Sequence, residues 1–249
     1  MSGPALSAAV WSERRESVAR HFDARAATWE RLTFGGPVGW IRRSVQEGRT
    51  RMRVTLLDGL PQDLSGCSVL DAGCGAGLMA MDLAERGARV VAVDVSSALL
   101  RIGAEQWDAR GRPGRLEFRH GDLLDLGEER FDIVVAMDSL IHYPAAAMLD
   151  AVRRLADHTT AEIRFTFAPR TPFLGVMHSV GKLFPRPSRA PGVHPQAARG
   201  VRDRLRHALP DWDVDTVGEV RSGFYVSAAA RMVRAGGARA VSSRPEAHA

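Results

Sequence analysis

The sequence predicts an α/β fold: a doubly wound, largely parallel sheet with helices on both faces, preceded by an N-terminal helical segment. Three observations carry this. From Ser65 onward, short Val/Ile/Leu-rich runs alternate with helix-length segments, the pattern of a parallel sheet buried on both faces. The first run leads straight into a glycine-rich turn, Gly73-Cys74-Gly75-Ala76-Gly77, that opens a helix. The last two runs are separated by only Arg221-Ser222, so they read as an antiparallel hairpin.

Taken in order, residues 1–57 read as helices. Val18, Phe22, Ala26, Trp29 and Leu32 recur at helical spacing. The Phe34-Gly35-Gly36-Pro37 break follows, then a second helix over about 38–60, carrying Val45, Met52, Leu56 and Leu57 among its arginines and stopped by Pro61. The first strand spans 68–72, and the helix after it spans 76–86, with Gly87 as its stop. A second strand covers 89–94, and Ser96 is placed to cap the next helix, which runs to about Trp107. Strands at 115–119 and 131–137, a helix at 144–156 and a strand at 161–167 continue the alternation.

Residues 168–195 break the rhythm with six prolines around an apolar centre at 173–184, an insertion of substrate-loop character. A helix over 196–209 and strand-like runs at 212–220 and 223–229 complete the body. The residues from 235 to 249 read as a disordered tail. The organisation is therefore a helical arm (1–57), one body (58–234, with the insertion at 168–195) and a tail (235–249).

Composition narrows the function classes. The chain has 249 residues, 45% hydrophobic and 25% charged, an ordinary globular mixture that excludes collagen-like, mucin-like and wholly disordered chains. Charges interrupt every apolar run before the roughly 18 residues a membrane-spanning helix needs. The N-terminus has no basic segment ahead of an apolar one, so no signal peptide is expected. The net charge is +5, and Lys182 is the only lysine. Arginine grips carboxylates and phosphates well, and a GC-rich genome gives the same bias. The arginines are dispersed without a nucleic-acid-binding signature, so no nucleic-acid partner is expected. Cys67 and Cys74 suggest neither a disulfide nor a zinc site and fit a reducing cytoplasm.

The glycine turn is the sharpest feature. Its glycines permit positive φ and close backbone approach by a ligand, and the helix start offers free N–H groups. The spacing is GxGxG with Asp71 two residues before the first glycine. The dinucleotide fingerprint is GxGxxG, so this variant suits a ligand with no pyrophosphate. Asp94 ends the second strand, where a carboxylate can accept both ribose hydroxyls; Asp122 and Asp138 follow the third and fourth. Any one of these aspartates could simply cap a helix. All four on one sheet edge mark the edge where ligands bind.

This pattern resembles the class I S-adenosylmethionine-dependent methyltransferases. The resemblance implies a Rossmann-like, seven-stranded sheet whose last strand is antiparallel. It also implies S-adenosylmethionine as cosubstrate, with Asp71, Gly73 and Gly75 against the methionine part, Asp94 on the ribose and Asp122 at the adenine. Cys74, Gly77, Val95, Leu123, Met137 and Asp138 complete the cofactor-binding set it implies.

Further segments are similar to the magnesium protoporphyrin IX O-methyltransferases of (bacterio)chlorophyll biosynthesis: Met137 to Tyr143 (MDSLIHY), Phe165 to Pro172 (FTFAPRTP), His178 to Pro185 and Ser222-Gly223-Phe224-Tyr225. That resemblance spans roughly residues 18–234. It implies methyl transfer to one propionate carboxylate of Mg-protoporphyrin IX, giving the 13-monomethyl ester. It also implies an N-terminal arm over the pocket and a magnesium chelatase subunit as upstream partner. Its histidine carries over to His142, expected to hold or deprotonate the propionate. A tyrosine that some members carry in the arm does not carry over: the nearest positions are Thr33 and Phe34.

The nucleophile asks little of a base, since a free carboxylate, with pKa about 4–5, is ionised at neutral pH. Orientation and water exclusion are the main tasks. Arg170 can pair with the second propionate or make a surface salt bridge. Phe173 and Met177 can wall a macrocycle slot or pack onto the core. His178 can ligate the porphyrin magnesium or be an ordinary loop histidine, and Tyr225 reads as core. No protein-bound metal is expected; the magnesium belongs to the substrate. The acceptor is greasy and flat, which fits transient peripheral attachment to a photosynthetic membrane without an integral segment. The rival readings are a methyltransferase for a quinone precursor or other small acid, an NAD(P)-dependent oxidoreductase and a non-catalytic nucleotide-fold scaffold.

Overall fold

The computed structural model describes residues 8–26, 39–111, 115–170 and 192–237. Trp29, Leu32, Thr33, Phe34, Phe173, Met177, His178, most of the insertion and residues 238–249 lie outside them.

The N-terminal segment supplies α1 (Ala8–Asp23) and α2 (Trp40–Leu57). The alternating body follows: β1 (Ser68–Ala72), α3 (Leu78–Glu85), β2 (Arg89–Asp94), α4 (Ser97–Ala109), β3 (Leu116–His120) and β4 (Phe131–Ala136). Next come a 3-10 turn (Leu140–His142), α5 (Ala145–Asp157), β5 (Thr159–Phe167), α6 (Ala198–Ala208), β6 (Trp212–Ser222) and β7 (Tyr225–Arg234).

These strands form one seven-stranded sheet in the order β3-β2-β1-β4-β5-β7-β6. The first five run parallel, and β7 is antiparallel to both β5 and β6. The expected hairpin is present, but its turn is Gly223-Phe224, with Ser222 facing Tyr225 across it. A two-residue hairpin needs positive φ at its start. Gly223 supplies it at 53°, whereas Arg221 and Ser222 carry the Cβ atoms that disfavour it. The strands therefore extend beyond the runs read from hydrophobicity.

The sheet separates two cores. On one face Leu70, Val134, Ile163 and Phe165 pack beneath α5 and α6 through Met148, Val152, Leu155, Val201 and Leu205. On the other, Val69, Val90, Ile133 and Ala229 meet α2, α3 and α4 through Met52, Leu56, Met81, Leu83 and Trp107. Strands covered on both faces are continuous in apolar residues, as β4 is from Phe131 to Ala136. The N-cap expected of Ser96 is made, its Oγ accepting from Leu99 N at 3.3 Å.

One ion cluster crosses the buried region. Arg164 on β5 is 1% exposed. It donates to Glu162 Oε1 at 2.6 Å, to Leu56 O at 2.7 Å and to Asp58 O at the end of α2. Arg231 on β7 donates to both oxygens of the same Glu162.

Candidate active site

Strand order reverses between β1 and β4, so the chain departs in opposite directions from adjacent strand ends and leaves a crevice there. The glycine turn after β1 faces the turn after β4 across this crevice. Gly73 has φ 80°, and a Cβ there would collide with Ser139. Ser139 Oγ in turn donates to Ala72 O at 2.9 Å. Glycine is needed at 73 both for its φ and for this close approach.

Two adjoining pockets open along the crevice. The larger spans about 750 Å³ of space, part of it open to solvent. Gly73 and Gly75 form one wall; Asp94, Val95, Asp122 and Leu123 form another; Met137, Asp138 and His142 close the far end. The smaller, more polar pocket is lined by Asp71, Cys74 and Gly77 from the β1 turn and by Gln46, Arg49, Thr50 and Arg53 from α2. Arg49, Gly73, Ala76 and Met137 border both. The structure thus gathers every sequence-expected catalytic and cofactor residue around one cleft. Arg170 is exposed at the end of β5 and lines neither pocket; its main-chain N–H donates to Gln196 O at 2.8 Å.

The acids differ in setting. Asp94 accepts from Gly75 N at 2.7 Å through one oxygen and from Ser96 N at 2.8 Å through the other. Burial raises its pKa, opposed by the N–H groups of Ser96, Gly75 and Val95. Four lone-pair sites on a carboxylate leave capacity for hydroxyl donors. Asp122 accepts from Leu124 N at 3.0 Å and lies 3.6 Å from Arg15 of α1.

Asp71 is 2% exposed, and its Oδ2 has no hydrogen-bond partner. Burial first, then the charge of Asp94, raise its pKa to about 7. A buried oxygen without a donor is costly, and here it stands beside a polar cavity. The same burial pushes the Cys74 thiol up, with Asp94 and Asp71 adding to it, so a nucleophilic thiolate is disfavoured there.

Asp138 is the one non-glycine residue with positive φ among the described residues, at 55°. Its neighbours hold that conformation in place. Thr166 Oγ1 accepts from its main-chain N–H at 2.7 Å, the Tyr225 hydroxyl donates to its carboxylate at 3.0 Å, and Arg49 lies 3.2 Å away. Burial, then the charge of Asp138, push the Tyr225 phenol well up, so it remains a donor. Tyr225 is core, as expected, but its tip belongs to the site. A Cβ on Gly48 would collide with its ring, so α2 approaches closely only through glycine.

His142 is 7% exposed. Its ring meets Phe22 of α1 edge-on, with centroids 6.0 Å apart. Val18 and Phe22 bring α1 into the pocket wall, and Asp23 accepts from Ser96 Oγ at 2.6 Å and Ala98 N at 3.3 Å. Arg49, Val18, Phe22, Ser139 and Tyr143 were not among the expected site residues. Tyr143 and Ser139 flank motif residues and could have been suspected on that ground. Arg49 is one of five arginines between 38 and 60 and has no local signal.

The residues fit an adenosyl sulfonium. The orphaned Asp71 oxygen suits a cationic amino-acid end, the Asp94 carboxylate suits a diol, and the glycine turn leaves room beside the backbone. Comparisons with known proteins address the family rather than these residues. Residues 136–234 match the family described as magnesium-protoporphyrin IX methyltransferase C-terminus, and residues 69–161 match a methyltransferase domain. The chain is 42% identical over 219 residues to the magnesium-protoporphyrin O-methyltransferase of Rhodobacter capsulatus, covering 87% of this chain and 95% of the relative. It is 29% identical over 218 residues to the chloroplastic magnesium protoporphyrin IX methyltransferase of Arabidopsis thaliana, covering 86% and 69%. It also resembles the crystal structure of the Synechocystis PCC 6803 magnesium protoporphyrin IX methyltransferase ChlM with bound SAH. There the TM-score is 0.76, identity is 26% and coverage is 88% and 99% of the two chains.

Proposed function

The chain belongs to the magnesium-protoporphyrin O-methyltransferase family, and from that premise we propose how its residues carry out S-adenosylmethionine-dependent methylation of Mg-protoporphyrin IX. The acceptor atom in this reading is a propionate carboxylate oxygen, and the product is the 13-monomethyl ester. The observation that supports it is a single cleft with a glycine turn and strand-end acids at one end and a buried histidine at the other.

When bound, S-adenosylmethionine supplies an electrophilic methyl group on a sulfonium. Asp71 and Arg49 suit the zwitterionic amino-acid end, one accepting from its ammonium and the other meeting its carboxylate. Asp94 and Val95 hold the ribose, and Asp122 and Leu123 the adenine. Cys74 and Gly77 contribute backbone rather than side-chain chemistry. Met137 and Asp138 flank the transferring methyl, and the Asp138 carboxylate is held in place by Tyr225 and Arg49.

The acceptor carboxylate arrives ionised. His142 donates a hydrogen bond to it, or removes the proton from an acceptor that arrives neutral, and so fixes one oxygen in line. Orientation and water exclusion of this kind can supply several kcal/mol. The helical arm over 1–57 covers the cleft, with Val18 and Phe22 as its apolar lining. Arg170 serves the second propionate, and Phe173, Met177 and His178 belong to the acceptor side in the same reading. The enzyme works in the cytoplasm and receives its substrate from a magnesium chelatase subunit, with at most peripheral membrane contact. No helix of the described residues is long and apolar enough to cross a membrane.

The test is incubation of the purified chain with labelled S-adenosylmethionine and Mg-protoporphyrin IX, resolved by chromatography, beside a phenolic quinone precursor. Label is expected only in the monomethyl ester. Label in the phenol alone would defeat the reading. His142→Phe should lower ester formation by about a hundred-fold, the usual scale of a positioned proton-transfer group, while S-adenosylhomocysteine affinity stays within a factor of about two. Undiminished turnover would remove His142 from the mechanism.

A further inference from the structure

Resting on the reading that the acceptor is Mg-protoporphyrin IX, we propose that Trp40 and Phe224 form the aromatic face against which its macrocycle lies. The sheet order locates this face. Asp94 and Asp122 sit over β2 and β3, so the nucleoside half of the cleft takes that side of β1. The acceptor is left the other side, over β4, β5 and β7. Because β6 runs parallel to β5, the Gly223-Phe224 turn opens on the same carboxyl edge as the cleft.

Trp40, the first residue of α2, stands over that turn. Its ring lies 5.5 Å from the Phe224 ring, tilted by 59°, a geometry aromatic pairs favour. Ser44 Oγ fixes the arrangement, accepting from Phe224 N at 3.4 Å and donating to Ile41 O at 2.8 Å. The neighbouring Tyr225 reaches Asp138 in the cleft, so the platform and the reaction centre share one turn. This accounts for the whole Ser222-Gly223-Phe224-Tyr225 segment.

Trp40 is nevertheless 71% exposed, and Ile41 is 43% exposed. Large apolar side chains left in water together mark a surface that binds something. Arg42 and Arg43 are exposed on the same helical turn. A flat apolar face beside guanidinium groups complements a flat ring system with carboxylates on its rim. An acidic peptide would match the charge but not the aromatic corner.

The experiment measures equilibrium binding of Mg-protoporphyrin IX to the full chain by quenching of protein fluorescence, with ester formation assayed in parallel. Trp40→Ala and Phe224→Ala should each raise the porphyrin Kd and KM by roughly ten-fold. Trp40→Phe should restore most of the loss, and S-adenosylhomocysteine affinity should stay unchanged. Val54→Ala, a matched exposed apolar site on α2, should change nothing. A porphyrin Kd within a factor of two in Trp40→Ala overturns the platform while leaving the function standing if the wild type forms ester. A wild type that binds no Mg-protoporphyrin overturns both. Sedimentation with phosphatidylglycerol vesicles completes the set. If Trp40→Ala abolishes vesicle binding but not porphyrin binding, the face belongs to a lipid surface and the proposal falls.

Discussion

Asp71 shows how one residue links stability to ligand binding. Its folded pKa is about 7 against an ordinary value of 3.8. The folded state therefore retains a proton that the unfolded chain releases. Stability from the neutral form is complete below about pH 4 and is lost as pH rises towards 7. A cationic ligand beside the orphaned oxygen reverses the preference and draws the carboxylate into its charged form. Asp71→Asn cannot ionise. The ligand-free variant should melt above the wild type at pH 8, with the gap closing towards pH 5, and its S-adenosylmethionine affinity should fall most at pH 8. Melting curves at several pH values check this, and a gap that does not vary with pH would contradict it. Asp71, Asp94, Asp122 and Asp138 were legible because strand ends and a glycine turn fix them locally. Arg49 and Phe22 were not, since only helix docking brings them to the cleft.

At the level of elements, α2 determines where Arg49 and Trp40 stand. Its buried stripe is Gly48, Met52, Leu56 and Leu57, so packing sets its face, and the buried Arg164 sets its axial position. Carbonyl groups at a helix end lack intrahelical donors, and Arg164 supplies donors to Leu56 and Asp58. Arg164→Met would orphan those carbonyls and leave Glu162 with Arg231 alone. A loss of about 3 kcal/mol follows, or a Tm lower by about 10 °C, with porphyrin affinity reduced because α2 is no longer held. An unchanged Tm would make the cluster dispensable. Hydrophobic periodicity recovered β1 and β2 to the residue, since buried parallel strands are bounded by charge and glycine. It missed the length of β6 and β7, where the edge strand alternates in exposure and Gly223 alone decides the turn. The helical reading of 1–57 contains α1, which begins at Ala8, although the apolar spacing read as helical runs only from Val18 onward.

On the scale of the whole molecule, the sheet reversal at β1 and β4 divides the carboxyl edge into a nucleoside side and an acceptor side, and α1 spans the first. The doubly wound, seven-stranded sheet with an antiparallel last strand was expected from the chain's alternation and the family resemblance; the path of α1 across the edge was not, because it depends on long-range contacts, two of them polar. Arg15 meets Asp122, and Asp23 meets the start of α4 through Ser96 Oγ and Ala98 N. An acid at a helix N-terminus accepting from a hydroxyl and an N–H is worth about 1–2 kcal/mol. If the arm covers the cleft as proposed, that energy holds product in. Asp23→Ala should therefore speed release of S-adenosylhomocysteine by about ten-fold in stopped-flow displacement. Amide exchange should rise in α1, while β1 and β4 stay protected because their hydrogen bonds lie in the two cores. Faster release with unaltered protection of α1 would assign the effect to the α4 cap instead. Unaltered release would mean that α1 rests on the cleft without gating it.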